Sequence, residues 1–300
     1  ETVTALAAEY PEIVVLDADL AAATKTGIFK KAYPERFFDC GIAECNMVGV
    51  AAGLATCGKI PFAASFAMFS AGRAFEQVRN SVGYPKLNVK IVGSHAGISV
   101  GEDGATHQCC EDIALMRTIP GMVILNPCDH YEMQAAVRAA VEHKGPCYIR
   151  LGRLAVESIN NNDDYKFELG KGITLREGTD ITVVATGLMV QEAVKAADAL
   201  KEEGISVEVI NIHTIKPLDE KLVIASAKKT GRVITVEEHN IIGGLGEAVS
   251  TALSEHCPTP VTRIGVNDVY GHSGPAVDLL KEFGLSAEHI AEVIREKLAK

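Results

Sequence analysis

The densest group of residues able to carry out acid–base chemistry lies in one glycine-rich stretch, 93–108 (GSHAGISVGEDGATHQ). It holds two histidines, His95 and His107, and two adjacent acids, Glu102 and Asp103. Histidine suits proton transfer and anion binding near neutral pH. An apolar, strand-like run precedes the stretch, and open α/β sheets bind ligands beyond the carboxyl ends of their strands. We therefore expect a ligand site here; a glycine-rich surface loop with solvated acids is the alternative.

A second candidate is Glu44, the one carboxylate in the run 41–55 (GIAECNMVGVAAGLA) of small and apolar residues. A carboxylate buried among such residues is costly unless a specific group meets it. The simpler interpretation is an acid that complements the dipole of a core helix. The run alone leaves both interpretations open.

Two further groups could bind a ligand. Phe66 and Phe69 (within ASFAMF) offer ring faces to a flat heteroaromatic group, although their spacing alone favours two core residues. Arg153 (within LGR) carries the planar fork that binds phosphate in a bidentate manner. It is otherwise a charged residue at the start of a linker.

Apolar strand-like runs alternate with helical patterns along the chain. The predicted strands are Ile13–Asp19, Phe37–Cys40, Ile60–Phe66, Val89–Gly93, Met122–Leu125, Cys147–Leu151, Ile181–Gly187, Val207–Ile210, Val233–Val236 and Val261–Ile264. The predicted helices are the Glu44 segment, Thr26–Ala32, Ser70–Val82, His107–Thr118, His130–Glu142 and segments near 190–203, 218–228, 244–255 and 287–298.

This alternation predicts an α/β protein with two doubly wound domains and mostly parallel sheets. We place the first domain at residues 1–155, a linker at 156–178 and the second domain at 179–300. The linker includes the polar, turn-rich run 159–164 (INNNDD).

Composition narrows the functional classes. A net charge of −10 argues against nucleic acid or an anionic membrane as partner. No apolar run approaches the roughly 18 residues of a membrane span, and no signal peptide is evident. The chain begins at Glu1, so we expect a few leading residues to be missing. The eight cysteines form no C-x-x-C pair, which favours reduced thiols and a cytoplasmic location.

The motifs together resemble the transketolase family. SHAGISVGEDGATHQ closely matches that family's signature, with Ala105 in place of the usual proline. The segments GIAE, SFAMF and LGR, and the later IKPLD and EHNIIGGLG, are similar to family segments in the same order. The resemblance spans nearly the whole chain and implies a pyrimidine-binding domain followed by a transketolase carboxyl-terminal domain.

For the cofactor, the resemblance implies thiamine diphosphate. Glu44 then hydrogen-bonds its aminopyrimidine ring and acts as a catalytic residue, while Phe66 and Phe69 cradle that ring, with Phe69 the stacking residue. For the substrate, it implies that His95 and Arg153 contact a sugar phosphate.

The same resemblance implies roles for two further residues of the loop, Asp103 and His107. Asp103 contacts a substrate hydroxyl, and His107 lies over the reacting carbons as a catalytic residue. The implied activity is transfer of a two-carbon ketol unit between sugar phosphates, as in the pentose phosphate pathway.

The sequence departs from the family in two places. At 19–25 (DLAAATK) the usual phosphate-binding serine and arginine are missing, and Thr24 and Lys25 are possible substitutes. The Gly-Asp-Gly motif that holds diphosphate and metal is also missing; Glu102–Gly104 with Asn126 only imitates it.

The resemblance therefore implies the carboxyl-terminal subunit of a split transketolase. Mg²⁺ (or Ca²⁺) is then held mainly by an amino-terminal, diphosphate-binding partner subunit in a heterotetramer. The small residues Gly49, Ala52 and Gly53 of the Glu44 helix suit self-association across that helix.

Other functions stay open. A 1-deoxyxylulose-5-phosphate synthase or a 2-oxo-acid dehydrogenase beta chain shares GIAE and the GGLG region. A dinucleotide-binding module would use 244–249 (GLGEAV), where Val249 replaces the expected glycine or alanine. An inactive paralogue is the last alternative, and the retained Glu44, Asp103 and histidines argue against it.

Overall fold

The computed structural model describes residues 1–161 and 165–299, which form two α/β units built on one sheet each. The strands are β1 Ile13–Asp17, β2 Phe37–Asp39, β3 Ile60–Phe66, β4 Lys90–Ser94, β5 Val123–Leu125, β6 Cys147–Arg150, β7 Ile173–Arg176, β8 Ile181–Ala185, β9 Val207–Asn211, β10 Thr214–Lys216, β11 Val233–Asn240 and β12 Val261–Val266. The helices are α1 Thr2–Glu9, α2 Gly27–Ala32, α3 Glu44–Thr56, α4 Phe75–Gln77, α5 Asp112–Arg117, α6 His130–Glu142, α7 Met189–Lys201, α8 Glu220–Thr230, α9 Leu245–His256, α10 Ala276–Glu282 and α11 Ala287–Leu298.

The first sheet has seven strands in the order β10-β5-β6-β4-β3-β1-β2. All neighbours are parallel except β10, which runs antiparallel to β5 and pairs Thr214 with Leu125. Every residue of β1 and β6 is buried, as expected for a parallel sheet covered on both faces. Strand β10 comes from the second half of the chain, so the two units share this sheet.

The second sheet has five strands in the order β12-β11-β8-β9-β7, and only β7 is antiparallel. The prediction of an α/β protein with two mostly parallel sheets is confirmed. The units also share a core, in which Met116 and Ile119 belong to the same apolar cluster as Ile210, Ile212 and Ile215.

Several predicted elements differ from the structure. The helix expected from His107 starts only at Asp112, because the residues before it belong to an irregular loop. The expected helix Ser70–Val82 is helical but irregular, with π-helical segments at Met68–Arg73 and Val78–Gly83 on either side of the short α4. Helices α1 and α10 and the short strands β7 and β10 were not predicted.

The predicted linker 156–178 contains β7, and its residues Asn162, Asp163 and Asp164 lie outside the described residues, as does Lys300. The backbone N–H groups of Ile159 and Asn160 donate to Asp129 Oδ2 at 2.7 and 2.6 Å. The domain boundaries stay a prediction.

All eight cysteines are free. Within the ranges 1–161 and 165–299, no helix has the length and apolar character needed to cross a membrane.

Candidate active site

Glu44 lies in the first turn of α3 and is 1% exposed. Its Oε2 accepts a hydrogen bond from Arg73 Nη1 at 2.9 Å, and its Oε1 accepts a longer one from Ser65 Oγ on β3 at 3.5 Å. A buried carboxylate needs such partners to offset its lost hydration. Because Oε1 has only the long contact, it keeps the capacity to bind a further donor.

Arg73 is a functional candidate that sequence reasoning missed. Its side chain is 49% exposed, and its guanidinium lies 4.6 Å from the Phe69 ring centroid as well as against Glu44. One signal could have found it: Arg73 is the only charged residue between Ile60 and Phe75. A lone cation in an apolar stretch predicts a buried anion nearby.

Four rings gather beside this ion pair. The Phe66 ring stacks on His95 with centroids 4.0 Å apart and faces Phe69 at 6.4 Å. His107 approaches Phe69 edge-on at 5.3 Å. The structure therefore brings together the two histidines of the loop and the two phenylalanines, which come from two separate segments of the sequence.

The loop after β4 has an unusual backbone. His95, Gly97, Gly101 and Gly104 all have positive φ, at 54°, 84°, 81° and 72°. Glycine adopts this region freely, whereas a histidine there is strained, and such strain gathers at functional sites. This backbone explains why the segment up to His107 does not form the helix expected of it.

Charges converge on His95. Burial lowers the pKa of its imidazole first, repulsion from Arg153 and Lys25 lowers it further, and Asp103 acts in the opposite direction. Arg153 Nη1 donates to Val100 O and to Glu102 Oε2, both at 2.6 Å. That hydrogen bond lowers the pKa of Glu102. Two cations, Arg153 and Lys25, thus act on His95 and can attract an incoming anion.

Lys25 is the better of the two possible substitutes at 19–25. The hydroxyl of Thr24 donates to buried Asp17 Oδ2 at 2.8 Å, and the hydroxyl of Thr26 does the same. The Thr24 hydroxyl is therefore already used in a hydrogen bond that supports the fold. Lys25 is exposed, has a left-handed backbone with φ of 64°, and acts electrostatically on His95.

The structure weighs against a dinucleotide site at 244–249. The Glu237 carboxylate accepts from the N–H groups of Leu245 and Gly246 at 2.6 and 2.8 Å. Those amides at the start of α9 are the groups that would hold a diphosphate. A buried carboxylate already occupies them.

Of the three small residues expected on the exposed face of α3, two lie there and one does not. A side chain added at Gly49 or Gly53 would meet no atom within 4 Å, so both lie open. Ala52 is 6% exposed and belongs to the chain's own core, so its assignment to an interface face is wrong. Ile42 and Val50, at 76% and 38% exposed, extend the open surface.

The residues present fit the aminopyrimidine end of thiamine diphosphate, with a buried carboxylate oxygen for a ring nitrogen and aromatic rings for stacking. For the metal end, Asn126 donates to Thr186 Oγ1 at 3.2 Å and is buried between the two units. In the described part of the chain, no three His, Cys, Asp or Glu side chains cluster in a way that could hold a metal ion.

Comparison with known proteins covers both units. The transketolase pyrimidine-binding domain matches residues 1–158, and the transketolase C-terminal domain matches residues 170–290. A protein of Methanocaldococcus jannaschii described as a transketolase C-terminal section is 52% identical over 100% of this chain and 95% of its own length. The 6-deoxy-6-sulfo-D-fructose transketolase subunit SqwH of Clostridium sp. (strain MSTE9) is 47% identical over 99% of this chain and 93% of its own length.

Among solved structures, one described as "Split gene transketolase, inactive beta4 tetramer" is 51% identical, with a TM-score of 0.92. It covers 99% of this chain and 96% of its own. Both domains, their order and their full length thus agree with these relatives, and the chain belongs to the transketolase family.

Proposed function

We propose that this chain is the pyrimidine-binding subunit of a two-chain transketolase that transfers a two-carbon ketol unit between sugar phosphates. The observation that carries the proposal is the single cluster of Glu44, Phe66, Phe69, His95 and His107. A buried carboxylate, stacking rings and imidazoles are the groups needed to bind an aminopyrimidine and handle protons beside it.

Glu44 is proposed to hold a proton at a ring nitrogen of the aminopyrimidine through Oε1. Arg73 orients Oε2, since a carboxylate with one fixed oxygen presents the other in a defined direction. Phe69 supplies the stacking face, with Phe66 behind it. Bound thiamine diphosphate supplies the electron sink for the two-carbon unit.

The substrate lies, in this proposal, between the rings and the charged loop. His95, Arg153 and Lys25 bind the phosphate of the sugar. Burial and repulsion lower the pKa of His95, and an anion there acts against both, which favours the charged imidazole and a charge-assisted bond. Asp103 accepts from a sugar hydroxyl, and His107 moves a proton at the reacting carbons.

The remaining site is assigned to other polypeptides. A diphosphate-binding partner subunit holds the diphosphate and Mg²⁺ (or Ca²⁺), and two copies of each chain form a heterotetramer. Self-association uses the open face of α3 at Ile42, Gly49, Val50 and Gly53. The inactive tetramer of β chains named for the similar structure supports a need for the partner. A role in the pentose phosphate pathway and a cytoplasmic location complete the proposal.

Reconstitution tests the proposal. The purified chain is mixed with a diphosphate-binding transketolase subunit, Mg²⁺ and thiamine diphosphate, and ketol transfer from a phosphorylated ketose to an aldose phosphate is measured. We expect transfer only from the mixture, and only weak cofactor binding by the single chain in isothermal titration. Tight binding and ketol transfer by the chain alone would show that the division of labour is wrong.

The same assay separates the enzymatic alternatives. A 1-deoxyxylulose-5-phosphate synthase or a 2-oxo-acid dehydrogenase beta chain would release CO₂ from a 2-oxo acid, whereas ketol transfer between sugar phosphates releases none. An inactive paralogue would bind the partner and give no turnover with either substrate class.

A further inference from the structure

The loop that carries the proposed substrate residues is held from outside itself. Between Gly97 and Gly104 three residues have positive φ, and the segment has little regular structure of its own. The N–H of Gly97 donates to Cys109 O at 2.9 Å, and the N–H of Ser99 donates to Glu238 Oε1 at 2.6 Å. The second of these bonds crosses from the first unit to the second.

Glu238 is buried near the end of β11, at 3% exposure. Its backbone carbonyl accepts from Arg150 Nη2 at 2.8 Å, so its strand is tied to β6, three residues before Arg153. A Cβ added at Gly97 would lie 2.3 Å from Glu238 Oε1. The carboxylate therefore sits directly against the backbone of the loop, and Gly97 is needed for this approach.

Burial raises the pKa of the Glu238 carboxyl, while Arg150 and the N–H of Ser99 oppose that rise. A carboxyl kept inside a protein at such a cost, with its oxygen on a loop amide, is serving that loop.

The second unit contacts the loop at other points as well. Gln108 Nε2 donates to His272 O at 3.0 Å and lies 3.3 Å from Ile98 O. A Cβ at Gly104 would meet Ser273 Oγ at 2.5 Å, and one at Gly101 would meet Gly274 O at 3.3 Å. The segment before α10 thus packs along the loop, and Glu238 of β11 adds a buried carboxylate that bonds to the loop backbone.

We propose that Glu238 is a positioning residue of the active site, through which the second unit fixes the loop that carries His95, Asp103 and His107. The inference rests on the proposed function for its catalytic consequence, but not for the physical contact. Because a shift of about 1 Å in a positioned group can cost a hundredfold in rate, the tether would govern turnover without touching the substrate.

Glu237 provides a matched control. It is equally buried, precedes Glu238 on β11, and accepts two backbone amides, but these belong to α9 inside the second unit. Replacing Glu237 removes a buried carboxylate of the same strand without touching the loop.

The experiment compares amide hydrogen exchange in native chain, Glu238→Met, Glu238→Gln and Glu237→Met. Met keeps the volume but offers no acceptor oxygen, and the buried Arg150 keeps its salt bridge to Asp112 in this variant. For Glu238→Met we expect exchange at Ser99 and its neighbours to rise about tenfold to a hundredfold, with Leu245 and Gly246 unchanged. Glu238→Gln restores an acceptor and should stay within about threefold of the native chain.

Glu237→Met should give the reverse, with faster exchange at Leu245 and Gly246 and native exchange at Ser99. If Glu238→Met leaves Ser99 as slow as in the native chain, or if both Met variants loosen both segments equally, the tether is absent.

A second measurement uses the chain assembled with its diphosphate-binding partner. For Glu238→Met we expect kcat/KM for a phosphorylated ketose to fall by about tenfold or more, with rescue by Gln, and Glu237→Met to stay within about twofold per folded molecule. Equal losses of kcat/KM in both Met variants would show that Glu238 has only a structural role. If the native assembly transfers no ketol unit, the proposed function fails, while the exchange data still decide whether Glu238 holds the loop.

Discussion

Each unit of this chain has a glycine-rich loop after a strand inside its sheet, and the two loops use their acids differently. After β4, Glu102 and Asp103 are exposed and the two histidines are only half-buried. In the second unit the acids Glu237 and Glu238 lie within β11, before the loop, and turn inward, onto the start of α9 and onto the first unit's loop. The first loop exposes its titratable groups, whereas the two acids before the second loop accept hydrogen bonds inside the protein.

The comparison shows that a doubly wound sheet fixes where a ligand site can lie but does not by itself provide the side chains that bind a ligand. The carboxyl ends of parallel strands meet at one edge in both units, yet the cluster of aromatic rings, histidines and exposed acids lies at the edge of the first sheet. Substitutions in the first loop should therefore change catalysis, and those around the second should change stability, except at Glu238, whose carboxylate bonds to the first loop.

The largest expected effect is on catalysis. Glu44→Gln should lower kcat of the assembled enzyme by at least about a hundredfold, because an amide cannot hold the ring proton as a carboxylate does. Unfolding of the single chain should change little, since Gln keeps the contacts to Arg73 and Ser65. Turnover and urea unfolding are measured for Glu44→Gln and for the control Glu237→Gln. The control should lose stability and keep its turnover. Near-native turnover in Glu44→Gln would remove Glu44 from the site.

A stability effect of similar free energy is expected in the second half. Burial lowers the pKa of His213 from 6.5 to about 4, and its ring stacks on Phe167. Because the folded state disfavours the charged form, the stabilisation is complete above pH 6.5 and is lost as the pH falls toward 4. The loss is on the order of 3 kcal/mol.

Urea unfolding at several pH values between 7 and 4 measures this dependence. His213→Phe keeps a ring that cannot be charged, so its stability should fall less steeply with acid. An equal slope in both proteins would show that His213 is not the group responsible.

The next largest effect should be on binding of the substrate phosphate. His95→Ala and Arg153→Ala should each raise KM for a phosphorylated ketose by about tenfold to a hundredfold, through loss of a charge-assisted contact. KM for a small donor without phosphate should change far less. Arg176→Ala, which removes an exposed arginine paired with Asp198 in the second unit, is the control. Equal changes with both donors would make His95 and Arg153 structural.

The smallest effect should come from Glu102. Its carboxylate pairs with Arg153 at 2.6 Å in an exposed position, where ion pairs contribute little. Glu102→Gln should leave stability unchanged and lower KM for the phosphorylated donor by threefold or less, because Arg153 loses a competing anion. A higher KM would indicate that Glu102 itself orients Arg153 for the substrate.

Much of the fold could be predicted from sequence, because buried parallel strands are near-continuous apolar runs such as Ile60–Phe66, which matches β3 residue for residue. The edge strands β7 and β10 could not, since four and three residues at a sheet border carry too little apolar signal. The late start of α5 could not be predicted either, because the loop before it has several positive φ values and packs against the second unit.

For the site, residue types and family motifs brought Glu44, the two phenylalanines and the loop histidines onto one candidate site. They missed Arg73, although its isolation in an apolar stretch was a signal, and they could not reveal Glu238, because it acts through a partner distant in the sequence. The pairing of Glu238 with Ser99 spans 139 positions, and no local pattern records such a contact.

Strand β10 bears on how such a protein can be divided. It pairs with β5 of the first sheet, and Lys216 at its end donates to the carbonyls of Arg117 and Ile119, both at 2.7 Å. A gene break between the two halves would strip β5 of its neighbour and expose an open strand edge, which is a template for aggregation. The two halves are therefore not interchangeable modules, and recombination can shuffle them only as a pair.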